Sequence, residues 1–257
     1  LDAAAGWLRE ARRVVVLTGE GLAMESGVPT PGRKPVPARP PSDELRRPLS
    51  SSSTGTDPAM PALVPVEALD WRAATWQEFH DDPITVWRWH HSHRALCARA
   101  QPSQAHHALA ELEPLLAGGL ALVTTAVDGL QLRAGTSQRA LYEVNGSIHH
   151  MRCDEGVPRA CLRQLDLDDE DTAPQTRAAL AAVPEPSGAS DCGGPPACCP
   201  RCRVRRRPHV LWDGEARKEA FYHGRSAVRT AERCDLLLVV GAGVTRGLPS
   251  QMVGAVF

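Results

Sequence analysis

The chain has 257 residues, with 29 Lys and Arg against 30 Asp and Glu, so its formal charge is −1. That length suits one large or two small domains with a real core, and the near-zero charge argues against a bulk nucleic-acid or polybasic membrane binder. No apolar run approaches the ~18 residues that span a bilayer, and eight cysteines are too sparse for a small disulfide scaffold.

Residues 1–13 predict a helix, because Ala and Leu are strong formers and basic residues close it. The chain starts at Leu1 and not at Met, so a trimmed product is expected, with any targeting peptide upstream. Val14-Val15-Val16-Leu17 is a buried-strand run that meets the glycine turn Thr18-Gly19-Glu20-Gly21. A strand, a glycine turn and then a helix form a phosphate-binding layout, although GxG alone is weak. Residues 34–65 are rich in Pro and Ser and predict a disordered insertion. Helical pattern returns over 66–100, where Trp71, Trp76, Phe79, Trp87 and Trp89 read as core anchors before any ligand role.

A helix is expected from Gln101 to Leu116, ended by Gly118-Gly119. Leu120 to Thr124 is a second strand, and a third lies within 141–148. Residues 162–200 turn acidic and then Pro- and Gly-rich. Val210-Leu211-Trp212 reads as extended, and Leu236 to Val240 reads as the clearest buried strand, running into Gly241-Ala242-Gly243. Strands alternating with helices, each ending at a glycine, indicate a parallel α/β sheet. Four cysteines fall between Cys192 and Cys202, and Cys199 with Cys202 forms a CxxC knuckle whose thiolates can share one tetrahedral ion. Arg201, Arg203, Arg205, Arg206 and Arg207 form a basic run, read as pairing internally with Asp166, Asp168, Asp169, Glu170 and Asp171 ahead of nucleic acid.

Six segments then align, in order, with one family's signatures. VVVLTGEGLAMESGVPT, PSQAHHALAELEPLL, LVTTAVDGLQLRAGT, LYEVNGSIHHMRC, CPRCRVRRRPHVLWDGE and CDLLLVVGAGV resemble the conserved strings of the sirtuins, NAD-dependent protein deacylases. ESGVPT and RPHVLWDGE lean toward the class III, mitochondrial acyl-lysine type. The resemblance implies an α/β fold: a Rossmann-like parallel sheet over 1–33, 101–150 and 208–257, a helical cofactor and substrate region over 66–100, and a small zinc-binding module over 151–207. It implies NAD and zinc as cofactors, acyl-lysine proteins or peptides as partners, and a monomer without membrane attachment. The chain stops at Phe257, soon after the last glycine turn, so a shortened sheet is expected.

By the same resemblance the cofactor site holds Gly19, Glu20, Gly21, Glu25, Ser26, Arg33, Thr125, Ala126, Val127, Asp128, Gly241, Ala242 and Gly243. Several of these depart from the family string. Glu20 puts a carboxylate where the backbone approaches phosphates, which repels them unless it points away. Thr125 and Ala126 replace a Gln and an Asn, while Asp128 remains for the nicotinamide carboxamide. The catalytic histidine position is Asn145, and an amide cannot take a proton near neutral pH. Loss of a general base costs about 10²- to 10⁴-fold in rate. His149 and His150 lie about 13 Å or more along a strand, too far to substitute.

Substrate positions implied are Val210, Trp212 and Gly214 on the extended segment, with His90 and His93 at the acyl-binding pair. As a run, VWRWHHSHRA reads first as a solvated helix face, with protonated His93 able to attract a carboxylate weakly. The zinc ligands implied are Cys153, Cys199, Cys202 and Cys161, with Cys192 or Cys198 as alternatives for the fourth. The expectation is an impaired deacylase. The competing expectations are an inactive module gripping a peptide along 210–215, or a truncated gene product.

Overall fold

The computed structural model describes residues 2–30, 75–116, 118–154, 181–182, 198–199 and 202–257. Arg33, Cys161, Cys192, Trp71, the 34–65 insertion and the acidic residues 166–171 lie outside the described residues.

Helix α1 (Asp2–Glu10) leads into β1 (Val14–Thr18), whose five residues are all buried. β1 is one of two inner strands of a parallel sheet that has four strands among the described residues. It pairs on one side with β2 (Leu120–Thr124), which in turn pairs with β3 (Leu141–Glu143). On its other side lies β7 (Leu236–Val240). A parallel strand covered on both faces needs apolar residues at every position, which is why VVVLT shows no alternation. Successive side chains point to opposite faces. Val14 and Val16 pack with Leu22, Leu109 and Leu122, under α2 (Glu20–Glu25) and α5 (Gln104–Leu112). Val15 and Leu17 pack with Ala227, Ala231, Leu248 and Met252, under α8 (Gly224–Glu232) and α9 (Gly247–Val256). The result is helix, sheet, helix.

β7 is not the most buried strand, contrary to its sequence. Its only described neighbour is β1, and Val239 is 43% exposed. A run of Leu and Val records apolarity, whereas burial of an edge strand depends on what covers it.

The expected third strand is two strands. β3 ends at Glu143, and β4 (Gly146–Cys153) enters a second sheet between β5 (Ala181–Ala182) and β6 (Arg206–Val210). The break falls at Val144-Asn145-Gly146. Gly146 has φ +84, and a Cβ there would run into the His209 carbonyl, so the corner requires glycine.

Helices α3 (Trp76–Asp81) and α4 (Pro83–Arg99) cap this second sheet. Asp82 accepts the Thr85 N–H at 3.1 Å, which starts α4 with Pro83 in its first turn. Phe79, Val86 and Trp87 pack with Met151 and Trp212, and Trp76 packs against them, so Trp76, Phe79 and Trp87 are core as expected, whereas Trp89 lines a cavity. A short helix α6 (Leu130–Arg133) follows the β2 loop, and α7 (Glu219–Tyr222) precedes α8. Among the described residues no helix is long and apolar enough to cross a membrane.

Candidate functional site

A parallel sheet sends the loops after its strands to one edge, and ligands bind in the crevice there. The loops after β1, β2 and β3 carry Thr18-Gly19-Glu20-Gly21, Thr125-Ala126-Val127-Asp128 and Asn145. They meet a cavity of about 570 Å³ that is also lined from α4 by Trp89, His90 and His93, and from the β6 exit by Val210, Leu211, Trp212 and Asp213.

The glycine turn is built by close approach. Gly21 donates its N–H to Gly241 O at 2.9 Å, and a Cβ on Gly21 would sit 2.6 Å from that oxygen. Gly19 likewise faces Ala242, whose Cα would lie 2.8 Å from an added Cβ. The two glycine turns are therefore locked backbone to backbone, and the Gly21 amide is not offered to a ligand.

The charged groups of the cavity are shifted by burial. Asp128 is 4% exposed and accepts the Leu130 N–H at 2.8 Å. Desolvation pushes its carboxyl up to about 6, against that hydrogen bond and Arg133. Glu20 is open to solvent on one side, yet burial of its carboxyl, followed by the Asp128 charge, raises its pKa too. It does not point away from the cavity. His149 Nε2 lies 2.9 Å from Asp128 O, so it braces the Asp128 loop from behind.

His90 and His93 do not lie on a solvated face. They are 1% and 5% exposed, because α4 packs its 86, 90 and 93 positions inward against β4. His90 Nε2 lies 3.1 Å from Ile148 O. Burial, with His149 nearby, pulls His93 down to about 4, and burial holds His90 well below its usual value. Both rings are neutral at pH 7, which corrects the expectation of a protonated His93.

Asn145 occupies the corner between the sheets. Its Nδ2 donates to Thr125 O at 2.9 Å, and its Oδ1 accepts from Arg217 Nη2 at 2.8 Å. Its backbone carbonyl accepts the Leu211 N–H at 2.8 Å, which ties the cavity wall to β6.

Of the basic run, Arg207 is fully buried and Arg203 is exposed. Arg207 forks onto both oxygens of Glu215 at 3.0 and 2.8 Å, and Arg152 reaches the same carboxylate at 2.6 Å. The surplus positive charge lies against aromatic faces, with Arg207 3.9 Å from the Trp212 ring centre and Arg152 4.4 Å from that of Phe221. Arg205 pairs with Asp154 at 3.0 Å. Internal pairing is thus observed for Arg205 and Arg207, but with Asp154 and Glu215; the acidic residues proposed from sequence lie outside the described residues.

Cys153, Cys199 and Cys202 bring their sulfurs within 4.8 Å of one another, with 3.5 Å between Cys202 and Cys153. Thiolates about 2.3 Å from a tetrahedral ion lie at such separations, so the three fit zinc. Cys198 is exposed and outside this group.

Of the cofactor positions read from sequence, Glu20 and Thr125 to Asp128 line the cavity, as does Asn145. Gly19, Gly21, Gly241 and Ala242 form the adjoining locked turn. Glu25 is exposed at the end of α2, and Ser26 is buried beside it; neither lines the cavity, nor does Gly243. Of the substrate positions, His90, His93, Val210 and Trp212 line the cavity and Gly214 does not. The 210–215 segment is not a free strand edge, because Leu211 bonds to Asn145 and Asp213 bridges to Thr75. Sequence reasoning missed Ile148, Thr75 and Arg217, and read Trp89 as a core anchor where it lines the cavity. Trp89 was detectable, one helical turn before His93; Arg217 had no local signal.

A family model described as the Sir2 family matches residues 68–245. The chain is 36% identical over 234 residues to NAD-dependent protein deacylase 1 of Pseudomonas aeruginosa, spanning 91% of this chain and 74% of that relative. It is 28% identical over 243 residues to the mitochondrial NAD-dependent protein deacylase sirtuin-5 of Danio rerio, spanning 90% and 66%. A solved Sir2 homologue in complex with NAD superposes with a TM-score of 0.64 at 25% identity, covering 100% of this chain and 78% of that one.

Proposed function

This chain belongs to the Sir2 family, and from that premise we propose that it is an NAD-dependent protein-lysine deacylase with slow turnover. The observation that carries this is the cavity at the carboxyl ends of β1 and β2, where buried Asp128 and Asn145 share a wall with an apolar channel of Trp89, Ile148 and Trp212.

The residues fit one end of NAD better than the other. Asp128 offers a buried carboxyl to a carboxamide N–H, as the nicotinamide end requires. The phosphate end is poorer, because the Gly21 amide is already bonded and Glu20 adds a carboxylate. NAD, when bound, supplies an electrophilic ribose carbon and nicotinamide as leaving group. Val210, Leu211 and Trp212 form the wall along which an acyl-lysine lies, and Trp89 with Trp212 excludes water. His90 and His93, both neutral, favour an uncharged acyl group such as acetyl over succinyl or glutaryl. Asn145 can orient a hydroxyl by hydrogen bonding but cannot accept its proton, which is the reason for slow turnover.

The test is nicotinamide release from NAD with acetyl-, succinyl- and glutaryl-lysine peptides. Slow release, greatest with the acetyl peptide and abolished by Asp128→Asn, is expected. Release that is indifferent to both peptide and Asp128 would sink the proposal. A second reading, peptide binding without turnover, is favoured by one fact: both polar ends of the Asn145 amide are already bonded. It predicts saturable peptide binding by calorimetry with no nicotinamide release.

We propose zinc at Cys153, Cys199 and Cys202, with a fourth ligand such as Cys161 from outside the described residues. Metal analysis should give one zinc per chain, released by Cys202→Ser. A chain that folds equally well with no zinc contradicts this. A mitochondrial location is favoured by likeness to sirtuin-5 and opposed by the likeness to bacterial relatives; subcellular fractionation of the native protein decides between them.

A further inference from the structure

Asn145 and Arg217 are 72 residues apart and bonded to each other. Arg217 grips two successive residues of the corner: Nη2 donates to Asn145 Oδ1 at 2.8 Å, and Nε donates to Val144 O at 3.1 Å. On its far side the Asn145 amide donates to the Thr125 carbonyl at 2.9 Å. A carboxamide satisfies both neighbours in only one orientation. Flipped, it would aim N–H groups at a guanidinium and an oxygen at a carbonyl oxygen, losing a charge-assisted bond and gaining two repulsions. The amide is therefore held fast, with its oxygen committed to a cation.

Now consider an imidazole in the same place. To meet the same partners it must accept from Arg217 with one nitrogen and donate to Thr125 O with the other. No lone pair then remains for a proton from the cavity. Protonating it would set a cation against a guanidinium that is itself half-buried. A histidine base and Arg217 are chemically incompatible at this corner.

We propose that Arg217 is the positioning residue of position 145: it fixes Asn145 as a non-basic wall group, and basicity returns there only when Arg217 is also removed. This rests on the deacylase reading for its functional consequence, but not for its physical content.

The test separates the two. The probe is the imidazole introduced by Asn145→His, titrated by NMR in the ligand-free protein, with and without Arg217→Met. Other groups face this corner: Tyr222 and His209 from behind, and Glu20, Asp128, His90 and His93 across the cavity. They are common to both variants, so their influence cancels in the difference. The expected result is a proton affinity at least about tenfold higher when Arg217 is replaced. Equal affinities would overturn the proposal. Nicotinamide release is read in parallel and should recover in Asn145→His/Arg217→Met but not in Asn145→His alone. A pKa difference without recovered release upholds the positioning role and removes the deacylase reading.

If the histidine variants do not fold, Arg217→Met alone gives the answer. The Asn145 side-chain amide signals should shift and exchange faster with water, and Arg217→Lys should preserve them in part. Amide signals unchanged in Arg217→Met would also overturn the proposal.

Discussion

The two ends of the parallel sheet hold cavities of almost equal size. One, about 570 Å³, lies at the carboxyl ends of the strands; the other, about 580 Å³, lies at the amino ends. The second is lined by Arg13, Tyr142, Ser226, Arg229, Thr230 and Arg233. Its charges are hydrated: Arg13 is 61% exposed and meets the 40% exposed Asp235 at 3.5 Å. At the carboxyl end the same kinds of group are desolvated, and Asp128 and His93 are displaced in opposite directions. Volume therefore does not distinguish a site from a gap between helices. Burial of ionisable groups at converging loop ends does.

That contrast can be broken by substitution. The largest stability effect belongs beside the carboxyl-end cavity, where Glu215 pairs with two buried guanidiniums and holds Arg207 beneath Trp212. Glu215→Ala should cost about 3–5 kcal/mol in urea unfolding, because it leaves buried charge unpaired. At the amino end Arg13→Ala should cost no more than about 1 kcal/mol, since an exposed pair is screened by water. Equal costs would erase the distinction. In activity, Asp128→Asn should lower nicotinamide release about 10²-fold or more, and Arg233→Ala should leave it within about twofold.

pH sharpens the comparison. Asp128 moves from 3.8 to about 6 on folding, so its contribution favours the folded state below pH 3.8 and is lost as pH rises through 6. His93 moves from 6.5 to about 4, so its contribution is present above pH 6.5 and is lost as pH falls through 4. Each is worth about 3 kcal/mol at most. His90 and His106 share the sign of His93. Asp128→Asn should therefore steepen the loss of stability on acidification from pH 6.5 to 4, and His93→Gln should flatten it. Parallel curves for all three proteins would show that these groups are hydrated. At the locked turn, Gly21→Ala should cost about 1–3 kcal/mol as the Gly241 backbone is pushed away, more than Arg13→Ala and less than Glu215→Ala.

Much of the site was legible because it is local. VVVLT running into a glycine turn specifies a buried parallel strand and its loop, and Thr125 to Asp128 follow the next strand in the same way. The CxxC pair at Cys199 and Cys202 foretold a thiol cluster, and Cys153 joined it as expected. What was not legible is long-range. The histidines of α4 stand among polar neighbours, so their burial depends on β4 packing against them. The Arg run looks like a basic face until Glu215 and the aromatic rings close over Arg207.

The sequence by itself determined the parallel strands at 14–17, 120–124 and 236–240, the glycine turns that follow them and which family the chain resembles, because strand apolarity, glycine turns and CxxC spacing are written over a few residues. Only the tertiary structure decided which charges are dry, which edge of the sheet is exposed, and that Arg217 would clasp Asn145. Those outcomes depend on atoms brought together from distant points of the chain, where the surroundings set hydration and hydrogen-bond geometry, and no local pattern encodes them.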